Sequence, residues 1–191
     1  MAAAFPLSWR HVEPHLEKDT LSAASRDFPR GRISEITGMR SSGRTSMLHA
    51  LLGASTGRGE FAALVDTKDA FDACSAAAAG VELSKLIWIR CGGNAEHALR
   101  AADLLIQAGG FGVVALDLAE VAAAALNRIP PTAWFRFRLA VESTPTILAV
   151  IADRPLAKSC SSLTIKMTIK MPSDRAVFTG RAPFLLLRDA G

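Results

Sequence analysis

Three apolar runs in this chain each end on a carboxylate: FAALVD at 61–66, GVVALD at 112–117 and TILAVIAD at 146–153. Each is far too short to cross a membrane and too uniformly apolar for a strand with one wet face. Each therefore reads as a strand covered on both sides. RISEIT (32–37) and LIWIRC (86–91) have the same character. Helix-length segments separate these runs. TSMLHALLGAS (45–55) puts Met47, Leu48, Leu51 and Leu52 on one face. DAFDACSAAAAG (69–80) closes on Gly80, and NAEHALRAADLLIQAGG (94–110) opens on Asn94 as an N-cap. Two more helical stretches follow at 119–127 and 132–143. Strands alternating with helices predict βαβ units, hence an α/β fold with a mostly parallel sheet and helices on both faces.

The rhythm changes after residue 153. SLTIKMTIK (162–170) alternates apolar and polar positions, and APFLLLRD (182–189) is short and apolar, with no helix-length segment between them. These read as antiparallel C-terminal strands added to one edge of the sheet. Near the start, SWRHVEPHLEKD (8–19) holds a short helix and FPRGR (28–32) a turn. The expected organisation is an N-terminal extension, 1–27, followed by one domain, 28–191.

Composition narrows the class. Half of the 191 residues are hydrophobic and 21% are charged, the balance of a globular chain with a real core. The net charge of +4 leans mildly towards anionic partners. Three scattered cysteines, Cys74, Cys91 and Cys160, have no metal-ligand spacing and form no disulfide framework. No apolar run approaches the ~18 to 20 residues of a membrane span, and MAAAFPLSWRHVEPH is too weakly apolar for a secretory signal. A cytoplasmic protein with reduced thiols is expected.

Between the first core strand and its helix lies GMRSSGRTS, 38–46. A glycine-rich turn there gathers backbone N–H groups at a helix N-terminus, where phosphate oxygens bind. The phosphate-loop pattern G-x-x-x-x-G-K-[ST] is met by Gly38, Gly43 and Thr45, with Ser42 inside the loop, but Arg44 stands where the lysine belongs. Asp117, ending a later apolar strand, is placed as the acid of a Walker B strand would be.

FPRGRISEITGMRSSGRTS resembles the stretch that opens the ATPase core of RecA recombinases. ALVDTKDAFD (63–72) and the run from GVELSK to GVVALD are similar to the segments that follow it, and the order of elements matches over about 25–188. The departures concentrate on chemistry. The resemblance puts Lys68 where RecA carries the glutamate that activates water, and a protonated amine cannot act as that base. It puts Asp153 where RecA carries the glutamine that senses the γ-phosphate, and its charge repels that group. Arg44 replaces a compact ammonium by a planar fork, and Leu118 follows the Walker B acid where a hydroxyl residue is expected. Loss of one such group typically costs ~10² to 10³ in rate. The resemblance therefore implies a vestigial site: not an enzyme, and no ATP or magnesium cofactor.

Within the RecA superfamily the chain resembles the ImuA family, degenerate RecA-like proteins of bacterial mutagenesis cassettes. That resemblance implies a non-enzymatic accessory role in damage-induced translesion synthesis, with ImuB and an error-prone DNA polymerase as partners, RecA as a further candidate, and self-association left open. A weak RecA-family ATPase acting on DNA or on RecA filaments is the alternative, and a SulA-like division inhibitor a lesser one. WFRFR (134–138) interleaves aromatic and basic residues as single-strand binders do. Its bland reading is a helix packing Trp134, Phe137 and Val141 on the sheet. Arg136 and Arg138, with Arg154 and Lys158 in the segment matching a RecA DNA loop, are the candidate DNA contacts; those DNA loops look strongly shortened. His11 and His15 stand four apart but lack further ligands, and His49 and His97 have no nucleophile partner, so none is assigned a catalytic or metal role.

Overall fold

The computed structural model describes residues 20–168. The strands are β1 (Thr20–Ala23), β2 (Arg26–Pro29), β3 (Ile33–Gly38), β4 (Phe61–Asp66), β5 (Leu86–Arg90), β6 (Phe111–Asp117), β7 (Ile147–Ala152) and β8 (Ser161–Met167). The helices are α1 (Arg44–Gly57), α2 (Ala73–Ala78), α3 (Ala95–Ala108), α4 (Ala123–Leu126) and α5 (Pro131–Glu142). Six strands form one sheet in the order β5-β4-β6-β7-β3-β8, and every pairing in it is parallel.

Strand alternation sorts the core into two layers. Ala63, Val65, Val114, Leu116, Leu148 and Val150 face α3 and α5, where they meet Ala98, Ala102, Ile106, Trp134 and Phe137. Ala62, Leu64, Val113, Ala115, Ala149 and Ile151 face the other way, onto Met47, Leu48, Leu51 and Leu52 of α1 and Ala76 of α2. The expected α/β fold with helices on both faces is what the chain adopts. Trp134, Phe137 and Val141 are buried, as the packing reading of α5 requires.

Two helices are shorter than their composition suggests. Asp72 caps α2 by accepting from the amides of Cys74 and Ser75, which sets its start at residue 73. Before it, Asp69 takes a left-handed φ of 56°, and the amides of Ala70 and Phe71 are held by Asp66. The stretch 119–127 is helical only over Ala123–Leu126, because the Asp117 carboxylate takes the amide of Ala119 and Glu120 sits at φ 60°. The hairpin β1–β2 has no counterpart in the sequence reading. Its turn residues, Ala24 and Ser25, both adopt positive φ (47° and 61°), the geometry of a type I′ turn without the Asn-Gly that usually announces one. Leu21 and Phe28 are buried against the α1 side of the core, so residue 28, the expected start of the domain, lies inside a packed hairpin. The short helix expected at 8–19 and the strand at 182–189 lie outside the described residues, as do His11 and His15.

The C-terminal part of the expected fold needs correcting. Over its described residues, 162–170 is not an antiparallel addition: β8 runs parallel to β3, with Ser34 opposite Leu163 and Ile36 opposite Ile165. The chain must therefore return from the top of β7 to the bottom of β8 within residues 153–160. Fully extended, that span would reach about 26 Å, enough to cross a strand of about 20 Å with one 3₁₀ turn at Lys158–Cys160 but with no room for an α-helix. A buried carboxylate fixes the return. Glu35, in the middle of β3, accepts from the amides of Leu156 (2.6 Å) and Ala157 (2.8 Å) and lays the segment across its own strand. Leu156 and Ala157 pack into the α3–α5 layer there. Sequence alternation specifies a strand; it does not specify which way the strand runs.

Candidate nucleotide site and its closure

The loop 38–46 leaves β3 and enters α1, at the ends of the central strands. Gly38 is required by crowding, because a Cβ there would meet Ser42 Oγ and the carbonyl of Met167. Gly43 is required by conformation: it stands at φ 91° immediately before the helix, with Ser41 also left-handed at 63°. The turn closes through Ser42 N–H to the Met39 carbonyl at 3.1 Å. Thr45 is exposed, while Ser42 is only 3% exposed and its hydroxyl has no hydrogen-bond partner. The shape of a phosphate loop is thus kept.

What fills it is a side chain of the loop itself. Arg44 is 5% exposed, and its Nη1 donates both to the Gly38 carbonyl, across the loop, and to Asp153 Oδ1. Its Nη2 lies 3.4 Å from Glu120 Oε1, which also faces Arg40 Nε at 3.4 Å. Arg44 and Asp153, two separate departures from the RecA pattern in sequence, are one ion pair in space. A guanidinium bonded to a carbonyl and two carboxylates is not available to a γ-phosphate, and the carboxylates would repel one. These residues do not fit an ATP–magnesium group as they stand.

The acids nearby behave differently. Asp66, fully buried at the end of β4, accepts from Ala70 N (3.1 Å), Phe71 N (2.9 Å) and Trp88 Nε1 (3.2 Å). It organises the turn in which Lys68 sits exposed. Asp117 accepts from Ala119 N at 2.9 Å. Burial pushes its carboxyl up to about 6, and the negative charges of Asp66 and Glu120 add to the rise while Arg44 and the Ala119 bond oppose it. At pH 7 such an acid is still mostly ionised, and a cation beside it would hold it so more firmly. Among the described residues, no cluster of three or more His, Cys, Asp or Glu side chains has the arrangement of a metal site.

The candidate DNA contacts sit in different local settings. Arg136 of α5 is bonded to Asp103 of α3 at 3.2 Å and lies 5.9 Å from the Phe137 ring. Arg138 stacks 5.2 Å from Phe135. Arg154 donates to Asn127, and Lys158 is exposed in a 3₁₀ turn (Lys158–Cys160) that packs near α5. The sequence reading missed Glu120 and Glu35, and it took Arg44 and Asp153 as independent. Opposite charges at two positions that the resemblance assigns to one site were the available signal.

The comparisons with known proteins agree with the fold. The family model described as RecA N-terminal domain matches residues 20–129, more than half of the chain. The RecA protein of Bacteroides thetaiotaomicron is 41% identical over 91 residues, which cover 47% of this chain and 27% of that protein. The RecA protein of Borrelia hermsii is 38% identical over 90 residues, 47% of this chain and 25% of that one. The match thus spans about a quarter of the length of these relatives. Among solved structures, the RadB recombinase shares the fold with a TM-score of 0.57 at 17% identity, over 76% of this chain and 78% of its own. With the phosphate-loop geometry and the parallel sheet, the match over residues 20–129 means that the chain belongs to the RecA N-terminal domain family.

Proposed function

We propose that this RecA-family chain serves DNA repair by binding other proteins and does not turn over ATP. One observation carries the reading: the Arg44 guanidinium, at the position of the phosphate-binding lysine, is consumed by Gly38, Asp153 and Glu120. Lys68 in place of a water-activating acid argues the same way. The finer reading is the ImuA group: an accessory of damage-induced translesion synthesis that joins ImuB and an error-prone DNA polymerase, with RecA as a further partner. The short return at 153–160 supports it, since the resemblance makes this the segment where RecA carries a DNA loop.

The test has a biochemical and a genetic arm. Mg-ATP in the millimolar range should leave the melting temperature of the wild-type chain unchanged, whereas a ligand at 100 times its Kd would stabilise by about 2.7 kcal/mol. The chain should co-purify with ImuB from damaged cells, and its deletion should lower induced mutation frequency. Thr45→Ala, which removes an exposed hydroxyl that only a nucleotide-bound metal would use, should restore it. A folded Thr45→Ala protein that fails to complement would transfer the argument to the weak-ATPase reading.

A further inference from the structure

The phosphate loop is damaged in sequence yet undamaged in shape, and that mismatch calls for a physical account. Its glycines keep their special roles at Gly38 and Gly43. The helix behind it, α1, begins with no side-chain cap and no acid in its first turn, while α2 and α3 are capped by Asp72 and Asn94. Inside the loop, Ser42 Oγ is buried without a partner. Donors and dipole are in place, and the groups that stand against an anion are two carboxylates.

We propose that Asp153, assisted by Glu120, is an internal competitor for the loop: it latches Arg44 across the cradle, and the chain is a closed polyphosphate site rather than a dismantled one. This rests on the reading above that the wild-type chain takes no nucleotide, and it supplies the cause. Asp153 is 41% and Glu120 44% exposed, so neither is held by the core, whereas the Arg44 side chain is 6% exposed. The latch is anchored at the loop and loose at the acids. Arg40 and Arg44 against Glu120 and Asp153 sum to zero charge; neutralising both acids leaves two arginines facing an otherwise anion-ready turn. A freed guanidinium offers a fork matched to phosphate oxygens. Removing either carboxylate takes a like charge away from the cradle, and a tenfold gain in affinity corresponds to about 1.4 kcal/mol.

The experiment titrates the full chain with Mg-ATP and with inorganic tripolyphosphate by calorimetry, with melting temperatures in parallel. Wild type is compared with Asp153→Asn, with Asp153→Asn/Glu120→Gln, and with Asp103→Asn as a control for net charge on the distant α3. Asp153→Asn should melt lower than wild type without ligand, recover with either ligand, and bind at least about tenfold more tightly, with the double variant tighter still. A preference for ATP or equal binding of both probes supports the latch alike, since each requires the cradle. If the folded variants gain nothing, or Asp103→Asn gains as much, the latch is wrong and the inactive-site reading stands on other causes. Should Asp153→Asn fail to fold, Arg44→Lys/Asp153→Gln dissolves the pair from both ends, and its failure to bind overturns the proposal equally. Binding by wild type itself would sink the earlier reading; the latch would survive only with the tenfold gain on top.

Discussion

Asp66 and Asp117 stand opposite one another at the ends of the paired strands β4 and β6, and their surroundings treat them unequally. Asp66 is held by two amides and an indole, whereas Asp117 has the Ala119 amide, partial burial and the field of its neighbour.

The inequality has a pH signature. The folded protein takes up a proton on Asp117 near pH 6, the unfolded chain near 3.8. Protonation in that window favours the folded state, so this contribution to stability falls as pH rises from about 4 to about 6 and is flat above. Asp117→Asn should remove the penalty, raising stability at pH 7–8 by on the order of 2 kcal/mol and by little below pH 4. Urea denaturation across pH 4–8 measures it. Parallel curves for variant and wild type would contradict the assignment.

His49 predicts the opposite slope. It is buried on α1 with Nε2 unpartnered, edge-on to Phe71, and burial lowers its pKa while Asp72 opposes the shift. The unfolded chain binds the proton more readily, so stability is lost as pH falls below the ordinary imidazole value of 6.5. His49→Leu should weaken that acid dependence and leave stability at pH 8 nearly unchanged, read from melting temperatures in matched buffers.

Removing the loop arginine should cost stability. Arg44→Ala leaves the Gly38 carbonyl and two carboxylates without their cation, an expected loss of about 1–3 kcal/mol. Arg44→Lys should lose roughly half as much, because one ammonium cannot span all three acceptors. Equal stability of Arg44→Ala and wild type would mean that the pair contributes nothing to the folded state.

Glu35 should be a larger liability. Glu35→Ala strips the acceptor from the Leu156 and Ala157 amides and should cost about 2–4 kcal/mol, while Glu35→Gln keeps a weaker acceptor and costs about 1–2 kcal/mol. Hydrogen exchange at residues 156 and 157 gives the local readout: faster in Glu35→Ala than in Glu35→Gln, with the β4 amides changed least.

Much of this is legible in the sequence alone. The apolar runs at 61–66 and 112–117 became strands over nearly those bounds because a strand buried on both faces has few alternatives. Asn94 signalled its helix because a cap is local chemistry. The misses share a cause: each depends on a partner distant in sequence or on an unannounced backbone angle. The β1–β2 turn uses Ala24 and Ser25 where Asn-Gly would have spoken plainly. The direction of β8 depends on Glu35, more than a hundred residues earlier. At the site, sequence identified Arg44 and Asp153 as departures, but only proximity makes them compensate each other.

The place of β3 in the sheet has a consequence in time. Its neighbours on both sides, β7 and β8, come late in the chain, and Thr37 pairs with a carbonyl 128 residues away. On a ribosome adding about 5–20 residues per second, the strand that carries the phosphate loop waits roughly 6–26 s for its partners. During that wait Ile33 and Ile36 face solvent or whatever protein attends the nascent chain, and Arg44 has yet to meet Asp153. The hairpin needs only residues 20–29, whereas the loop between β3 and α1 cannot complete its contacts until Asp153 and Met167 have been made.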